Sequence, residues 1–308
     1  MILERQARDT LTAVELDIGD ELLFRLANGQ TRRIVLLETS AQVFHTTVRQ
    51  LKVEEKGAVT NYRFHATLAI DGRTLRLTRE AATPRSFYEP VEFLGLRIWL
   101  DACADIFDFL TEGHGPCRPR KQARLALQDA GRRICPERLL PWCPLPPGGL
   151  RVEDCYDGAD VWLGAYWGAA AHNGLDINHP AGTPIGAPLE IHDHYLFNSL
   201  THGDNNNRWR GLHRWADGST WTLQVHHIID LLVPEHVPFS AGTHYARGAG
   251  VWVGDHEHSH FEFKVLDPDD AEGDEIGLDP WILFWQMYRD QSQPSHTVDH
   301  QEPEHRPC

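Results

Sequence analysis

Two stretches of this chain hold residue types that can bind a metal ion. They are His172-Asn173-Gly174-Leu175-Asp176-Ile177 and, further along, His258-Ser259-His260-Phe261-Glu262-Phe263. From their three imidazoles and two carboxylates, two imidazoles and one carboxylate make a zinc ligand set, and three protein ligands leave the fourth position of a tetrahedral zinc open to water. On a straight strand, residues four apart stand about 13 Å from each other. Two ligands of one zinc need donor atoms only about 3 Å apart. The backbone must therefore turn between His172 and Asp176, and Asn173-Gly174 is the pair that permits a turn. Gly174, Pro180 and Gly182 argue against a helix through this stretch.

The second stretch alternates. With a period of 2, His258, His260 and Glu262 point one way, while Ser259, Phe261 and Phe263 point the other, which makes the aromatic face the core face. Imidazoles two apart on one strand face are separated by about 6.6 Å at their Cα atoms. They can split their roles, one binding metal and the other reaching the substrate. Glu262 lies beside them as a partner for an imidazole N–H. There is no H-E-x-x-H helix, no G-x-S-x-G elbow, no P-loop and no dinucleotide fingerprint.

His172 to Asp176, then Pro180-Ala181-Gly182-Thr183-Pro184-Ile185, and finally His258-Ser259-His260-Phe261-Glu262, resemble the lysostaphin-type zinc endopeptidases. That family's signature is H-x-G-x-D, a P-x-G-T-P-V-like stretch and a terminal H-x-H-F-E strand. A further His usually lies between them in a Tyr-x-His-Leu setting. Val225-His226-His227-Ile228 occupies that place, so His227 aligns with the family's catalytic His. His226 is the alternative, and strand alternation puts it on the opposite face from His227. The resemblance spans residues 140 to 266 approximately. It implies one Zn2+ per chain held by His172, Asp176 and His260, with His227 and His258 as the catalytic pair that does not bind metal. It also implies hydrolysis of peptide bonds in peptidoglycan cross-bridges or stem peptides. The alternatives are a binding or regulatory module without activity, and a zinc hydrolase of another peptide. Two departures bear on substrate choice: the run Gly203 to Gly211, and Asp255-His256-Glu257 in place of a Gly-rich turn. A second His pair, His192-Asp193-His194, lacks metal-compatible companions.

The elements that must position these residues read as mainly β. Antiparallel strands are expected from about residue 12 to 101. Asn28-Gly29 turns the runs Glu21 to Leu26 and Thr31 to Leu37, and Asp71-Gly72 turns Tyr62 to Ile70 into Thr74 to Thr78. Val91 to Leu100 reads as a further strand. Asp101 to Leu110 and Arg118 to Arg133 read as helices, the second rich in Ala, Leu, Gln and Arg. The organisation expected is a β-rich N-terminal domain over residues 1–135, an antiparallel β metallopeptidase domain over 136–290 and a disordered tail over 291–308. Within the second, Asp217-Gly218 leads into a strand from Thr220 to Ile228, and Ile276 to Tyr288 reads as a C-terminal helix. Trp209 and Arg208, within the Asn-rich run, are candidates for stacking on a substrate and gripping a carboxylate.

A net charge of −15 disfavours nucleic acid or an anionic membrane as partner. No apolar run is long enough for a membrane span. The first residues are too charged for a signal-peptide core, which sits at odds with the extracytoplasmic work of the family. Six cysteines occur without a C-x-x-C, so a zinc ribbon is not expected, and pairs such as Cys135–Cys143 would need an oxidising compartment.

Overall fold

The computed structural model describes residues 1–46, 60–81, 89–108, 112–114, 119–134, 161–162, 170–172, 174–178, 181–197, 207–249, 251–253, 256–280 and 282–283. The first part of the chain forms β1 (Ile2–Gln6), β2 (Thr12–Leu16), β3 (Glu21–Arg25), β4 (Thr31–Thr46), β5 (Thr60–Ile70), β6 (Arg73–Ala81), β7 (Val91–Phe93), β8 (Leu96–Cys103), β9 (Glu112–His114) and β10 (Ala123–Asp129). The second part forms β11 (Val161–Trp162), β12 (Ala170–His172), β13 (Gly174–Asn178), β14 (Pro184–Gly186), β15 (Asp193–Phe197), β16 (Asn207–Arg214), β17 (Thr220–Leu231), β18 (His244–Gly248), β19 (Val251–Val253), β20 (His256–Leu266) and β21 (Ile276–Leu278).

These strands make three large sheets. One runs β1-β3-β4-β5-β6, the next β2-β10-β8-β7, and the third has ten strands along β11-β13-β20-β17-β16-β15, with β14, β18, β19 and β21 attached. Turn chemistry agrees with the sequence. Asp71 and Gly72 both take positive φ between Ile70 and Arg73, the two-residue turn that matches strand twist. On β5, Phe64, Ala66, Leu68 and Ile70 are buried while the residues between them are not, which is the period of a half-buried strand. The fold is mainly β and antiparallel, as read from the sequence.

Two expected helices are strands or shorter. Ala123–Asp129 is β10, paired with β2 on one side and β8 on the other. Its Ala and Leu residues favour a helix in isolation, yet burial on both faces between two strands overrides that weak preference. Residues 101–103 complete β8, and Ala104–Asp108 is a single 3-10 turn. At the other end, Ile276–Leu278 is a strand on β20, and 282–283 are helical. Residues 281 and 284–288 of that expected helix, the tail, and all cysteines except Cys103 lie outside the described residues.

β2 and β8 are buried along their whole length, so their sheet is a middle layer. It packs against β4, β5 and β6 on one side, and β2 reaches β20 and β21 on the other. Buried charge ties the layers together. Arg124 Nε donates to Asp101 at 2.5 Å, the Asp279 N–H donates to the other Asp101 oxygen at 2.9 Å, and Arg79 pairs with Asp279. Arg8 forks onto Asp267 at 2.5 and 3.2 Å. No helix among the described residues is long and apolar enough to cross a membrane.

Candidate metal centre on the polar face of β17 and β20

The ten-stranded sheet has one apolar and one polar face at its centre. Trp221, Leu223 and Val225 of β17 stand in register with Val265, Phe263 and Phe261 of β20, all buried. The intervening residues, Thr222 and Gln224, stand opposite Lys264 and Glu262. Continuing that alternation brings His226 beside His260, with ring centroids 4.8 Å apart.

Three donors converge there. Glu262 Oε1 lies 3.2 Å from His226 Nε2 and 3.6 Å from His260 Nε2. His226, His260 and Glu262 are buried, at 8%, 5% and 3% exposure, and are the group able to hold a metal among the described residues. Lys264 Nζ approaches the other Glu262 oxygen at 3.4 Å, and the Gln224 amide lies 2.7 Å from His226 Nε2. Burial, with the neighbouring His260, holds the His226 pKa well below the usual imidazole range. Burial alone would raise the Glu262 carboxyl, but the hydrogen bond from His260 and the charges around it, Lys264 among them, pull it below the carboxylate range. A neutral imidazole and an ionised carboxylate are the forms that bind metal.

The elements around this triangle explain its tightness. Gly174 on β13 sits against the His260 ring. A Cβ there would fall 2.3 Å from Cε1, 2.4 Å from Nε2 and 2.6 Å from the Phe261 carbonyl oxygen. Gly174 does not adopt a positive φ, so what it supplies is close approach, and Asn173, the other residue of the expected turn, lies outside the described residues. On β16, Arg208 pairs with His226 and Asn207 with Ile228, so His227 is the extra residue of a β-bulge. It takes φ +65°, a left-handed conformation that is uncommon outside glycine. The bulge keeps the His227 ring 6.2 Å from that of His226.

The expected site residues are distributed as follows. His260 and Glu262 are in the cluster. Asp176 holds the register position opposite His260, and His258 that opposite Asn178. His172 ends β12, which runs parallel to β9 with His172 opposite His114. His227 is half-buried at the bulge, and it is His226, the alternative in the sequence, that joins the cluster. Arg208 is half-buried on β16 beside His226. Trp209 departs from expectation. It is fully buried, stacks on Tyr245 with centroids 4.0 Å apart and donates its indole N–H to His194 at 3.1 Å, so it is a core residue and not a loop aromatic open to substrate. Gln224 and Lys264 are neighbours that the motifs do not name, although alternation sets Lys264 on the face of His260 and Glu262, and Gln224 on that of His226.

No family model and no curated protein matches the chain. Among solved structures, it is similar to the solution structure of lysostaphin at 16% identity and TM-score 0.31, over 44% of this chain and 50% of that one. It is also similar to the antimicrobial peptidase lysostaphin from Staphylococcus simulans at 16% identity and TM-score 0.30, over 55% of this chain and 56% of that one. A zinc-containing peptidase from Vibrio cholerae matches at 11% identity and TM-score 0.31, over 84% of this chain and 83% of that one.

Proposed function

We propose that this chain is a zinc-dependent endopeptidase that cuts peptide bonds in peptidoglycan cross-bridges or stem peptides. The observation that carries the reading is the convergence of buried His226, His260 and Glu262 on one polar sheet face, with Asp176 in register opposite His260. The donor set fits zinc, which takes imidazole nitrogen and carboxylate oxygen. In this reading His172, Asp176 and His260 hold the ion, and His226 and Glu262 stand beside His260 as its polar neighbours. Bound zinc would supply a Lewis acid that polarises the scissile carbonyl and brings a water towards ionisation near pH 7.

The chain's own groups supply the rest. His227 and His258 act as the acid–base pair, taking a proton from the attacking water and returning one to the leaving amine. Glu262 Oε1 stands 3.6 Å from His260 Nε2, so with that nitrogen turned to the carboxylate Nδ1 would be the one left for the zinc. The Arg208 guanidinium, beside His226, is a fork for a carboxylate on the peptide.

The test is zinc content and release of peptides from purified peptidoglycan, for wild type beside His172→Ala, Asp176→Ala and His258→Ala. The first two variants should lose one zinc equivalent and the hydrolysis together, and His258→Ala should keep its metal and lose activity. Full hydrolysis by His172→Ala would sink the reading.

A further inference from the structure

We propose that Arg208 sets the substrate class of this site, selecting peptides with a free carboxylate within a residue or two of the scissile bond over neutral ones. The place of that bond rests on the peptidase reading above, and Arg208 decides among the peptides that reading leaves open. Arg208 of β16 stands in register with His226 of β17, so the two share a sheet face. The His226 ring lies 4.8 Å from that of His260 on β20. Neighbouring strands are about 4.8 Å apart, which puts Arg208 two strand spacings, about 10 Å, from His260 along the order β16-β17-β20. A residue of an extended peptide spans about 3.3–3.6 Å. Arg208 therefore stands level with the neighbours of a bond held at the centre, not with the bond itself.

Charge pairing singles it out. On the same face, Arg210 meets both oxygens of Glu275 at 2.6 and 2.7 Å, and Lys264 Nζ stands 3.4 Å from Glu262. The buried arginines Arg8, Arg79, Arg97 and Arg124 each meet a carboxylate as well. Arg208 is half-buried, its Nε is shielded from solvent without an acceptor, and among the described residues no carboxylate pairs with it. A shielded N–H without an acceptor is uncommon in a folded chain. Here it is a donor kept open beside a candidate active centre.

A planar fork of N–H donors fits a carboxylate best, which it can take with two parallel hydrogen bonds. The net charge of −15 works against anions at long range, so the preference must arise from contact and not from steering. Such a carboxylate can belong to an acidic side chain or to a free chain end.

The deciding experiment uses the full chain with zinc in the buffer and two pairs of probes. One pair is acetyl-Gly-Gly-Glu-Gly-Gly-amide and its Gln counterpart, whose blocked ends leave the side chain as the one carboxylate. The other is acetyl-Gly-Gly-Gly with its end free or amidated. Probes that are cut are compared by kcat/KM, and probes that are not by dissociation constant from NMR titration. Wild type should favour a charged probe over its neutral twin by about 10–100-fold, and the pair that shows it tells side chain from chain end. Arg208→Gln should bring that ratio to about 1, and Arg208→Lys should restore only part of it, since the charge returns without the fork. Arg210→Gln, the same change on a guanidinium already met by Glu275, should leave the ratio intact. Each variant is first checked for a wild-type thermal transition. Twins cut equally well, or a preference that survives Arg208→Gln, would overturn the selection by Arg208 and leave the peptidase reading standing. A binding preference lost in Arg208→Gln, without cleavage of any probe or of peptidoglycan, would uphold Arg208 as a carboxylate contact and sink the peptidase reading. Neither binding nor cleavage of any probe would overturn the selection.

Discussion

Two of the places where charge is buried, the junction of the middle sheet with the C-terminal strands and the polar face of β17 and β20, differ in kind. At the junction, Arg79 and Arg124 lie among Asp101, Asp279 and Glu15, every side chain nearly solvent-free. A guanidinium keeps its proton at any ordinary pH. Each such charge must be met by a carboxylate, and the cluster locks sheet to sheet. On β17 and β20 the partners of Glu262 are two imidazoles and one lysine. An imidazole can shed its charge and offer a lone pair instead. The first cluster is a fastening, and the second is a set of ligands.

The sharpest way to break this contrast is to remove one carboxylate from each cluster. Asp101→Ala strands Arg124 and Arg79 as buried charges and should cost about 3–5 kcal/mol in stability. Glu262→Gln leaves an isosteric amide beside two imidazoles that can shed their charge, and should cost only about 1–3 kcal/mol. Urea unfolding of both variants, with the midpoints compared at constant slope, reads the difference. Equal losses would mean that the two clusters are of one kind.

Trp209 tests whether its contribution is packing or recognition. Trp209→Ala empties a pocket walled by Tyr245, Phe239 and His194, and should cost about 3–5 kcal/mol. If the variant kept wild-type stability while its peptide KM rose, Trp209 would be a substrate contact after all.

Gly174→Ala sharpens the other half of the contrast, because it acts on the ligand set without touching a charge. Its methyl group would overlap the His260 ring and the Phe261 carbonyl oxygen, and the oxygen belongs to backbone that cannot swing aside. An overpacking loss of about 1–3 kcal/mol is expected, with zinc affinity weakened about 10–100-fold as His260 is displaced. Zinc titration against a competing chelator measures the second effect. Unchanged affinity would show that the close approach does not set the ring.

The same residues show what the sequence carried. Turns such as Asp71-Gly72 were legible because positive φ selects few residue types, and the polar face of β20 because alternation over His258, His260 and Glu262 has one strand reading. β10 was not, since its Ala- and Leu-rich run favours a helix and only the neighbours β2 and β8 decide otherwise. His226 was harder still. Counting along a strand separates it from His227, but nothing local announces the bulge that β16 imposes at His227. The Asn-rich run before Trp209 suggests a loop, whereas pairing to β15 and β17 makes its segment a central strand. In each case the missing information lay in a partner strand, beyond the reach of composition.

The smallest effect expected is on acid stability, from a third charged group that belongs to neither cluster. Asp20 sits beside Lys121 Nζ at 2.7 Å and accepts from the Asp17 N–H at 3.0 Å. Burial would raise its pKa, but these hydrogen bonds outweigh burial and lower it to about 2. A carboxylate depressed in the folded state contributes stability above its unfolded pKa and loses it as pH falls through the folded one. The contribution is therefore whole above about pH 4 and gone near pH 2, in a window below the imidazole range. Melting temperature against pH should fall less steeply across that window in Asp20→Asn than in wild type, while the two curves run parallel between pH 5 and 8. A difference confined to the imidazole range would instead tie Asp20 to the histidine cluster and undo the separation of fastening from ligand set.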